Sequence, residues 1–152
     1  MAATAWQLYN SAKKYIGNGT ITLGAGVFKM VLAQSASNAS TFTLTTYTQI
    51  TNEVATAGGY AAGGRSLVPS TAQWTTGASA KQLKFTQTTA GLTFTASGAN
   101  LVNVKYAIVR NSTGAAAGKL LCFCQLSSAN FTVTSPNTLT VIPAATGIFT
   151  LT

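Results

Sequence analysis

VNVKYAIVRNSTGAAAGKLLCFCQL, residues 102–126, decides the fold class of this chain. Its two ends are runs of Val, Ile, Leu, Phe, Tyr and Cys, side chains that favour the pleated, half-buried surface of a strand. Between them lies NSTGAAAG (111–118), rich in turn formers and too short for a helical crossover. Two strands joined this way pair antiparallel, as a long-looped hairpin. Cys122 and Cys124 then stand on one face, two rises apart at roughly 6.6 Å. That spacing and geometry do not suit a disulfide, so both are read as reduced thiols of a core strand, consistent with assembly in a cytoplasm.

The same pattern recurs outward from the hairpin. VFKMVLA (27–33) sets Phe28, Met30 and Leu32 against Val27, Lys29 and Val31. Ile21 and Leu23 also alternate with threonines. Further short Thr-, Val- and Phe-rich runs are RSLV (65–68), QLKFTQT (82–88), GLTFTA (91–96), NFTVT (130–134), TLTVI (138–142) and GIFTLT (147–152), with Gly, Asn, Ser or Pro between them. Two departures are helical. Thr4 is placed to cap a helix over 5–15, where Trp6, Tyr9, Ala12 and Ile16 recur at helical spacing, with Lys13 and Lys14 near its end and Gly17 as a stop. Thr46-x-x-Gln49 has the form of a capping box and predicts a short helical turn over about 47–54, inside a long insertion before RSLV. No linker divides the chain. The expectation is one all-β domain over 1–152, an antiparallel, jelly-roll-like β-sandwich with an N-terminal helical segment (1–16) and one helical turn in a long loop.

Composition narrows function by exclusion. Charged residues are 7% of the chain, with nine basic residues, one acidic residue and no histidine, for a net charge of +8. Ordinary globular proteins carry about 25% charged residues. Without His or Asp, the usual general base and the commonest metal ligand are missing. One carboxylate cannot form an acid–base pair, and two thiols cannot fill a zinc site alone. GAG (24–26) and AGGYAAGG (57–64) match no phosphate-binding fingerprint. The sequence thus predicts no enzyme activity, no metal and no cofactor. Four N-x-S/T triplets, at Asn18, Asn38, Asn111 and Asn130, are read as chance matches. The first 17 residues hold no apolar core of a secretory leader, and no run approaches the ~18 apolar residues of a membrane helix, so no membrane partner is expected. The basic residues are dispersed, with only Lys13 and Lys14 adjacent, which makes nucleic acid an unlikely partner.

The single acid is Glu53, in TNEVATAGGYAAGGRSL (51–67). With no catalytic partner it reads as structural, pairing with Arg65 or accepting backbone N–H bonds to pin the insertion; the second choice is a basic residue on a neighbouring subunit. Tyr60, between two Gly-Gly pairs, reads as a loop anchor. Trp6, Tyr9, Lys13 and Lys14 form the candidate partner-docking surface, the aromatics alternatively covering an open end of the sandwich.

AWQLYNSAKKYIGNGTITLGAGVFKMVL (5–32), TNEV (51–54) with GGY (58–60) and GGRSL (63–67), GKLLCF (118–123) and GIFTLT (147–152) together resemble a group of small β-rich virion structural proteins of tailed bacteriophages. The resemblance runs the length of the chain, and TNEV…GGY..GG is its most specific piece. It implies a non-enzymatic virion protein, expected to be a capsid decoration or cement protein that binds the major capsid protein and copies of itself. Alternatives are a minor tail or head–tail connector component, a host-surface adhesion module, or a DNA-facing internal protein. The chain departs from the group in its scarcity of Asp and Glu, which implies an acidic shell surface as partner.

Overall fold

The computed structural model describes residues 3–67, 74–76, 83–85, 91–144 and 147–151. In chain order the elements are β1 (Gln7–Leu8), α1 (Asn10–Gly17), β2 (Phe28–Gln34), β3 (Arg65–Ser66), β4 (Trp74–Thr76), β5 (Leu83–Phe85), β6 (Leu92–Thr95), β7 (Leu101–Asn111), β8 (Leu120–Gln125), β9 (Phe131–Val133), β10 (Thr138–Val141) and β11 (Phe149–Leu151). The protein is β-rich, and every described strand pairing is antiparallel.

The hairpin of 102–126 is the centre. β7 pairs β8 through Tyr106↔Gln125 and Val109↔Cys122, and β2 lies on the other side of β7 through Phe28↔Asn111 to Gln34↔Val104. β1 and β3 complete the order β1-β8-β7-β2-β3. β9 also pairs β7, its Phe131 opposite Val104. Since Val104 already has Gln34 on one side, β9 must continue the edge that β8 occupies. Two smaller sheets are β10-β6 and β11-β5-β4.

Paired residues share a face, so the register sorts the side chains. Phe28, Met30 and Leu32 stand with Val109, Cys122 and Cys124 on one face; Val31 and Ala33 stand with Ile108 and Phe123 on the other. Residues of both sets are buried, so the central strands are covered on both sides rather than one. On the first face Phe28 meets Phe85 edge-on at 5.0 Å, and Phe85 stacks on Phe149 at 5.2 Å. On the second, Tyr9 and Phe42 close over Phe123 at 5.0 and 5.3 Å.

The N-terminal helix is shorter than its periodicity suggests. It begins at Asn10, and Thr4 does not cap it. Instead the backbone N–H of Thr4 donates to the Gln125 carbonyl and that of Tyr9 to the Leu121 carbonyl, so the leading segment runs extended along β8. An edge strand with open hydrogen-bonding groups outweighs weak local helix propensity. Ile21 and Leu23 are buried, yet lie in turns rather than a strand. The turn at Thr46 is a single 3-10 turn, Tyr47–Gln49, with the Gln49 side chain accepting the Thr46 backbone N–H at 3.0 Å.

Candidate functional site

The long insertion between β2 and β3 has few strand bonds of its own. It is held along the edge of β2 that β3 also uses, where Glu53 bridges antiparallel to Ala33 with its side chain on the second face, and the Val54 N–H donates to the Leu32 carbonyl at 3.0 Å. Glu53 is the centre of the attachment. Its Oε1 accepts the Tyr60 hydroxyl at 2.7 Å and the Gly63 backbone N–H at 2.7 Å, while Oε2 accepts the Tyr47 hydroxyl. The Tyr60 oxygen in turn accepts the Leu32 N–H at 3.1 Å, tying the carboxylate to the edge of β2.

Arg110 completes the cluster from β7. Its Nη2 and Nε donate to the Gly63 carbonyl at 2.8 and 3.2 Å, and its guanidinium carbon lies 4.3 Å from the centre of the Tyr47 ring. The Gly63 residue is therefore gripped at both its N–H and its carbonyl, by an anion and a cation respectively. Such charge-assisted bonds are shorter and stronger than neutral ones.

The environment favours neutral phenols. Burial first, then the hydrogen bond and charge of Glu53, push the Tyr47 hydroxyl up to about 12, with Arg110 pulling the other way. Burial, joined by the Glu53 hydrogen bond, raises Tyr60 well above the usual tyrosine value, opposed by the Leu32 N–H.

Glu53 and Arg65 do not pair. Glu53 shares a face with Ala33, whereas Arg65 pairs with Met30 and so belongs to the opposite face of the sheet. The Arg65 guanidinium donates to the Thr93 carbonyl instead, tying β3 to β6. The other expected form of attachment, backbone N–H bonds to Glu53, is supplied by Gly63. Tyr60 is buried at 4% exposure, its ring 5.9 Å from Phe94. Tyr47 and Arg110 are the residues that sequence reasoning missed. Tyr47 lies six residues before Glu53 and was legible as a neighbour; Arg110, far away in sequence, becomes visible only through its register with Lys29 on the Glu53 face.

The four candidate docking residues separate. Tyr9 is fully buried, its ring on Phe123 and its hydroxyl donating to the Ala39 carbonyl at 2.7 Å, so it belongs to the core and not to a docking surface. Trp6 is half-buried on the extended lead-in segment, and Lys13 and Lys14 are exposed on α1. Both cysteines are buried free thiols; burial raises both, Cys124 to about 12. Among the described residues no group of three or more His, Cys, Asp or Glu is placed to hold a metal ion. Comparisons with protein-family models, curated proteins and solved structures give no match.

Proposed function

We propose that the chain is a non-enzymatic structural protein of a tailed-bacteriophage virion, and within the particle a decoration or cement protein that binds the assembled major-capsid lattice. The observation that carries this reading is the surface. Only ten side chains of 152 are charged, nine basic and one acidic, and the single carboxylate is committed to an internal clamp. What remains outside is largely Thr, Ser, Ala and Gly, together with the exposed apolar side chains Phe42, Val102 and Ile142. Such a surface gives up water at little cost and suits repeated burial against neighbours, whereas free proteins usually rely on charge to stay apart. The positive excess steers the protein toward an acidic shell.

The same reading takes the central sheet and the β11-β5-β4 sheet as two layers of a sandwich; the Phe28–Phe85–Phe149 contacts between them support it. Its test is the copy number per virion, measured by quantitative mass spectrometry. A number that scales with the capsid subunits is expected. A handful of copies contradicts decoration and favours a tail or connector position.

A further inference from the structure

Two of the three exposed large apolar side chains among the described residues, Phe42 at 43% and Ile142 at 63%, line one groove of about 800 Å³. Trp6, Leu8 and Ile148 contribute to the same walls, and among the described residues Lys13 is the charged one on its lining. One wall is the segment Ala3–Leu8, which includes β1. Among the described strands β1 ends the sheet order, with β8 on one side only. Natural sheet edges are usually blunted by charge or proline. The other end strand, β3, carries Arg65, but the sequence ATAWQL of residues 3–8 has neither. An open edge beside a cleft holding exposed apolar side chains is the arrangement that accepts an added strand: main-chain bonds supply affinity and alternate side chains enter the cleft.

We infer that this edge and groove form a docking surface for an extended apolar segment of another protein, carrying a side-chain carboxylate that sits against Lys13. A second copy of this chain does not meet that description. Its only side-chain carboxylate, Glu53, is engaged by Tyr47, Tyr60 and Gly63, and two copies each at +8 repel. Naming the partner as the capsid shell rests on the decoration reading; the chemistry of the occupant does not.

The test uses the full chain and a capped heptapeptide of alternating valine and threonine with a central aspartate, against the same peptide with central lysine. The aspartate peptide is expected to shift the backbone amide resonances of residues 3–8 and of Ile142, and to bind about two- to fivefold tighter than the lysine peptide, as one exposed ion pair allows. In Lys13→Glu the preference should reverse, and in Ile142→Asn both peptides should weaken. No preference between peptides, or shifts confined to other residues, overturns the inference. In parallel, both variants are titrated with genome-free capsid shells. Lost binding in both assigns the groove to the shell, and wild-type-like binding overturns that assignment. If the wild-type chain ignores shells, the decoration reading fails, and the peptides alone decide the groove.

Discussion

At the scale of single residues, the protein depends on one carboxylate that has no partner of opposite charge within ion-pair distance among the described residues. Glu53 is instead satisfied by two phenols and one peptide N–H. Glu53→Gln keeps one acceptor oxygen but replaces the other with an amide nitrogen that cannot accept, so a hydroxyl in the cluster loses its partner. A loss of about 1–3 kcal/mol is expected, read by denaturant unfolding, with faster hydrogen exchange across residues 45–64 and unchanged protection in β7 and β8. Exchange equal to wild type would mean that the clamp does not order the insertion. The tyrosines give a second test. Their protonated forms are favoured in the folded state, so the stability they lend is complete below the ordinary value of 10.0 and is lost as pH rises, for Tyr47 through about 12. Unfolding free energy should therefore decline across pH 10–12, and Tyr47→Phe should flatten that decline. An identical slope in the variant would separate Tyr47 from the alkaline response.

At the scale of elements, the lead-in segment and the glycine-rich loop are where local and non-local forces compete. Tyr9 and Lys13 are four residues apart, yet the first is core and the second is surface. Tyr9→Ala should lower stability by about 3–5 kcal/mol, as removal of a buried aromatic does, while Lys13→Ala should stay within about 0.5 kcal/mol. Similar small losses from both would put the ring outside the core. Gly64 adopts φ +81°, and a Cβ there would stand 2.2 Å from the Met30 carbonyl oxygen. The insertion returns to β2 by a backbone approach that only glycine permits. Gly64→Ala is expected to cost about 1–3 kcal/mol, or roughly 2–12 °C in Tm for a chain of this size. An unchanged Tm would show that the loop relaxes freely.

These same elements mark what the sequence could reveal. β2, β7 and β8 were legible because long runs of branched and aromatic residues have few alternatives to a strand. The start of α1 was not, since residues 3–8 answer to a β8 edge more than a hundred residues away. Nearness in sequence points to Arg65 as the partner of Glu53. The pleat puts it on the other face, and the cation that shares the cluster is Arg110 on a distant strand.

At the scale of the whole molecule, the proposed decoration role has the positive charge steer the protein while its uncharged surface binds. Attraction to an acidic shell should speed encounter and fade as salt shortens the Debye length from about 10 Å at 0.1 M to about 3 Å at 1 M. The contact itself would be made by Thr, Ala and apolar side chains, which salt does not screen. The direct measurement is a salt titration of binding to genome-free capsid shells, with rates resolved. The predicted result is binding that survives high salt, its modest loss confined mainly to the on-rate. Absence of shell binding, together with binding to duplex DNA whose log K falls steeply and linearly with log salt, would contradict the account and make the protein a DNA-facing component.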